Sequence, residues 1–62
     1  MFSADAWAKA NVMLGVRKRA SISEEEWIVL IAEARVQGEF EVAHCIEYAR
    51  LLAQRRARGE NV

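Results

Sequence analysis

Proline is absent from this chain, cysteine occurs once and glycine three times. With so little proline and glycine and 53% hydrophobic residues, the chain is neither collagen-like nor disordered. The lone Cys45 has no intramolecular partner, which rules out a disulfide scaffold and suits a reducing cytoplasm. The longest apolar run, Trp27 to Ala32, is far short of the ~20 residues a helix needs to cross a bilayer. No charged segment followed by an apolar one opens the chain, so no secretory signal is expected. Sixty-two residues leave room for one small domain, placed here at residues 1–58, with 59–62 as a frayed tail that has nothing to bury.

Net charge is also lacking, but its zero sum hides an uneven order. Residues 1–20 carry +3, residues 24–47 carry −6 through seven Glu against Arg35, and residues 50–62 return to +3. Such blocks can attract protomers to one another or steer an acidic middle toward a basic partner. They fall short of the basic footprint expected of a nucleic-acid binder.

Abundant Ala, Leu, Glu and Arg favour helix throughout, so Ser and Gly must supply the punctuation. Three helices result. The first is expected to start after Ser3 as N-cap and run to about Arg19, where Arg17, Lys18 and Arg19 complement the helix dipole. Gly15 is its weak point, marking either a close crossing or an early end. Ser23 and Glu26 have the spacing of a capping box, with Ile22 placed to staple against Trp27. The second helix then ends at Gln37 before Gly38, and a third follows from about Phe40 to Arg56. So short a connection predicts an antiparallel hairpin.

The second helix carries two apolar stripes where an ordinary surface helix carries one. Trp27, Leu30, Ile31 and Ala34 form the first, and Ile28, Val29, Ala32 and Val36 form the second. In the third helix Val42, Cys45, Ile46, Ala49, Leu52 and Ala53 line one side, extended by Phe40, Tyr48 and Leu51. Trp7, Ala10, Met13 and Leu14 of the first helix cover only part of this. The surplus is Ile28, Val29, Val36, Phe40 and Leu51, at about 1.5–3 kcal/mol for each side chain sheltered. The economical cover is a second copy, so the expectation is an all-α homodimer in which two hairpins stack into a four-helix-type core. Its dimer or partner interface is placed at Trp27, Ile28, Val29, Ala32, Val36, Phe40, Tyr48 and Leu51, with Trp27, Phe40 and Tyr48 as anchors.

Chemistry finds little support. Glu41-x-x-His44-x-x-Glu47 contains the Glu-x-x-His spacing of di-iron bundles, yet its side chains disperse around the helix instead of converging, so no metal is expected. Cys45 lies on the core stripe and His44 points elsewhere, which leaves no thiolate–imidazole pair. Without a second His, a Gly-rich loop or a nucleophile elbow, neither catalysis nor a cofactor is expected. Ala34 and Gly38 imitate part of a helix-turn-helix, but its reading helix would present Glu39, Glu41 and Glu47 to phosphates.

Trp27, Leu30, Gly38, Phe40 and Ala43 fall in a spacing that resembles a tetratricopeptide hairpin, over about half the chain. The chain departs from that pattern at Ile31, Glu47 and Arg50, and lacks the terminal Pro. One copy cannot close a solenoid core, so the resemblance implies shared hairpin geometry. In size and composition the chain also resembles the small accessory regulators and inhibitors of phages and plasmids. The leading expectation is a non-catalytic, cytoplasmic interaction module acting as a homodimer on a larger protein. The alternative is a dimeric nucleic-acid-binding regulator using Arg17, Lys18, Arg19, Arg55, Arg56 and Arg58 on phosphates.

Overall fold

A computed structural model of the chain describes residues 2–16 and 18–59. Arg17 and residues 60–62, most of the expected tail, lie outside them. Three helices fill the described chain: α1 (Ala4–Leu14), α2 (Glu24–Val36) and α3 (Phe40–Ala57), with a short 3₁₀ turn at Arg19–Ser21 between the first two. No helix is long and apolar enough to cross a membrane among the described residues.

Each start and stop has a local cause. Ser3 caps α1, its Oγ accepting from the Ala6 amide at 3.1 Å. Ser23 caps α2 in the same way, accepting from the Glu26 amide at 3.2 Å, and Glu24, Glu25 and Glu26 place negative charge on the positive end of the helix. Ile22 and Trp27 flank that cap, and both are buried in the core. At the other end of α2, Gly38 takes φ 77°, the Gly38 amide donates to Arg35 O and the Glu39 amide donates to Ala34 O, both at 2.9 Å. This pair of bonds is a Schellman closure, and the left-handed residue it requires is why a glycine stands there. Glu39 then leads directly into α3.

The first helix is shorter than the sequence suggests. It stops at Leu14 because Gly15 adopts φ 70°, ψ −154°, which no helix can pass through. Lys18 and Arg19 therefore lie beyond the end of α1 and do not cap it. Lys18 is extended, and its carbonyl accepts from both the amide and the hydroxyl of Ser21, at 3.0 and 2.7 Å, to close the 3₁₀ turn.

The third helix is the hub: α1, α2 and the 3₁₀ turn all pack against it. Cys45, Ile46 and Ala49 on its inner face are fully enclosed, as are Ala10 of α1 and Ala34 of α2. Alanines at these points let the helix backbones approach closely. Leu14, Ile22, Trp27, Ile31 and Val42 fill the remaining volume, and the core holds no charged or polar residue among those described.

Charged side chains cross-link the elements from outside. Glu24 pairs with Arg50 and accepts from Gln54, Arg35 pairs with Glu47 at 2.5 Å, and Lys9 pairs with Glu39 at 3.2 Å. These ion pairs are largely exposed, so each is worth about 0–1 kcal/mol and serves register more than stability.

Candidate protein-interaction surface

The outer faces of α2 and α3 carry the apolar side chains that the core does not take. Ile28 (57% exposed), Val29 (61%) and Val36 (87%) lie in solvent with Ala32 between them, so the second stripe of α2 has no cover within one copy. Phe40 (63%) and Leu51 (40%) do the same on α3. At about 100° per residue, Phe40 and Leu51 fall on one side of α3, as Ile28, Val29, Ala32 and Val36 fall on one side of α2. The pairs Glu24–Arg50 and Arg35–Glu47 run along the seam between those helices. An apolar surface divided by a charged seam is what the structure places there.

Two of the expected interface residues sit elsewhere. Trp27 is not a surface anchor: at 3% exposure it is spent inside the chain's own core, where the Ser23 cap and Ile22 direct it. Tyr48 is only partly available, because its ring meets Trp7 and Phe2, each at 6.2 Å between centroids. Phe2 and Trp7 are themselves edge-to-face at 5.9 Å and 73°, so three rings from the N-terminus, α1 and α3 form one cluster. No local spacing could have announced it, since Phe2 and Tyr48 are brought together only by the fold. Two further exposed side chains, Val12 and Val16, were not expected: Val12 lies on the side of α1 away from Ala6, Ala10 and Leu14, and Val16 lies beyond the end of α1.

The polar motif of α3 is dispersed. Glu41 accepts from the Ser3 amide at 2.6 Å and so ties the N-terminus to α3, whereas Glu47 lies between Arg35 and His44 Nδ1, the latter at 3.3 Å. Among the described residues no three His, Cys, Asp or Glu side chains gather to hold a metal ion. Cys45 is fully buried, and burial, reinforced by the nearby Glu41 carboxylate, pushes its thiol above the ordinary value. A thiol held protonated is a weak nucleophile.

The basic residues are gathered more closely than their positions in the chain imply. Lys18, Arg19 and Arg56 rim a groove of about 430 Å³ whose floor is Ala49, Leu52 and Ala53. Arg19 is held there by Asn11 Oδ1 at 2.8 Å, a neutral acceptor, and has no carboxylate partner among the described residues. Arg55 and Arg58 belong to the same end of α3, and Arg17 lies outside the described residues.

Compared with protein-family models, with curated proteins and with solved structures, the chain matches none of them.

Proposed function

We propose that this chain is a small non-catalytic interaction module, a homodimer that regulates or inhibits a larger protein in the manner of phage or plasmid accessory proteins. The observation that carries this reading is the exposed set Ile28, Val29, Val36, Phe40 and Leu51. Exposed apolar side chains on two neighbouring helices, with charged pairs between them, have the anatomy of a protein interface. The cross-links of Glu24 to Arg50 and of Arg35 to Glu47 support an antiparallel α2–α3 hairpin, since the start of α2 meets the later part of α3. Two such hairpins can stack into a four-helix core. In a reducing cytoplasm Cys45 stays a thiol.

Sedimentation equilibrium tests the dimer. The wild-type chain should show twice its 7.0 kDa mass at tens of micromolar, and Val29→Glu should return it to 7.0 kDa. A wild-type mass of 7.0 kDa at millimolar concentration refutes it. For the larger partner, Phe40→Glu should lose a protein that the wild-type chain retains from its native cytoplasm.

One observation favours a second reading. Lys18, Arg19 and Arg56 share a groove, which gives a nucleic-acid backbone three cations in one place. That reading requires retardation of nucleic acid at low salt, with a salt dependence that Arg55→Ala and Arg56→Ala together flatten. No retardation at low salt removes it.

A further inference from the structure

We infer that the basic-rimmed groove on α3 receives the acidic, apolar outer face of α2 from a second copy of this chain. The inference rests on the dimer proposed above and assigns its contact. The groove exists because α1 ends at Gly15. Among the described residues that follow, extended Lys18 and the 3₁₀ turn lie beside the C-terminal half of α3, where Leu52 and Ala53 remain half-covered. None of its seven lining residues is acidic. The side chains of Lys18 and Arg56 make no hydrogen bond or ion pair with any described residue.

The outer face of α2 offers the complement in both respects. Glu25 and Glu33 are exposed, and neither has a hydrogen-bond or ion-pair partner among the described residues. Helical spacing puts Glu25 amid Ile28, Val29 and Ala32 on that face, with Glu33 about 12 Å further along the axis and beside Val29. Two carboxylates with no partner among the described residues, flanking exposed aliphatic side chains, therefore match cations with no acidic partner among the described residues, flanking an aliphatic floor. A phosphate backbone would satisfy the cations but leave Leu52 and Ala53 in water, so the floor favours a helix face over nucleic acid. The contact joins two different patches, the groove of one copy and the α2 face of the other. It also leaves Phe40 and Leu51 free for a larger partner, because they lie on the opposite side of α3 from Leu52, Ala53 and Arg56.

The test is a charge swap followed by sedimentation equilibrium, with circular dichroism to confirm that each variant is helical. Arg56→Glu and Glu25→Arg should each weaken dimerisation about tenfold or more, and the double variant should return to within a few-fold of wild type. Raising salt should weaken the wild-type dimer but leave it detectable, because an apolar floor remains. If Val29→Glu dissociates the dimer while both charge variants associate like wild type, the groove assignment is overturned and the dimer stands. If the single variants weaken and the double does not recover, the pairing is likewise overturned. A wild-type chain that is monomeric at every concentration overturns both.

Discussion

Replacing Gly15 by alanine decides whether α1 truly stops where the structure ends it. At φ 70°, ψ −154° the residue sits in a region that is almost exclusive to glycine, and an L-residue there costs about 1–3 kcal/mol. Space is not the obstacle, since a Cβ at this position would meet nothing within 4 Å. For the L-residue the whole cost therefore resides in the backbone, and inverting the chirality removes that backbone cost. The mirror image of this conformation is the polyproline II region, which suits a D-residue at position 15 without strain. Gly15→D-alanine should then stabilise the fold by about 0.4–1 kcal/mol, by removing freedom from the unfolded chain. A chain of 62 residues is within reach of chemical synthesis, so both variants can be made and melted side by side.

Total stability for this length is on the order of 3–9 kcal/mol, so the L-variant loses a large fraction of it. A loss of about 2 kcal/mol should lower Tm by roughly 8–16 °C, with the D-variant melting a few degrees above wild type. The opposing outcome is equally specific. If α1 continued to Arg19, Gly15→Ala would gain about 1 kcal/mol of helix propensity and raise the ellipticity at 222 nm. A higher Tm with more helix in the L-variant would refute the early stop, and with it the origin of the groove on α3.

Ser23→Ala should cost about 0.5–2 kcal/mol by freeing the Glu26 amide, read as a lower Tm, whereas Ser21→Ala, which loses only an exposed turn hydroxyl, should cost less. Iodide should quench Trp7 and spare Trp27, so Trp7→Phe should leave a fluorescence that is poorly quenched; strong quenching in that variant would contradict the burial of Trp27. Cys45 should react with a disulfide reagent only as fast as the chain opens, and at once in urea. Its thiol is raised in the folded chain, first by burial and then by Glu41, so the stabilisation it contributes is complete below the unfolded thiol's range near 9.0 and is lost as pH rises toward the folded value. Urea midpoints should thus fall between pH 7 and pH 10 more steeply for wild type than for Cys45→Ala; equal slopes would contradict the shift.

What the sequence made legible was chemistry that acts within a few residues. Ser23 and Glu26 stand three apart, and the cap they form needs nothing from the rest of the molecule. Gly38 likewise ends α2 through bonds to Arg35 and Ala34 nearby. Gly15 was ambiguous because two local signals compete there: the basic run beyond it favours a longer helix and the glycine permits a stop. Packing on α3 settles such a contest, and a single sequence does not contain it. Trp27 was doubly assigned, to the inner stripe by its spacing and to the interface by its size, and burial gives it to the first. Proximity between distant segments was beyond reach altogether. The ring cluster of Phe2, Trp7 and Tyr48 and the meeting of Lys18 and Arg19 with Arg56 arise only when α1 and the 3₁₀ turn settle on α3.

The core itself explains why so much apolar surface is left over. Among the described residues twelve are buried, of which five are alanines and one is Cys45, so only six are large; eight large hydrophobic residues among those described are exposed instead. Alanine at Ala10, Ala34 and Ala49 brings the helices close, and close helices have no room between them for Ile28, Val29 or Phe40. Tight internal packing and a greasy exterior are therefore one choice of residue sizes seen from two sides. Enlarging the core alanines would not draw the outer side chains in, because overpacking forces the helices apart at a cost of about 1–3 kcal/mol. Shelter for the outer residues has to come from another surface. The same shortness of α1 that leaves Val16 bare also leaves α3 a concave, cationic place to offer one.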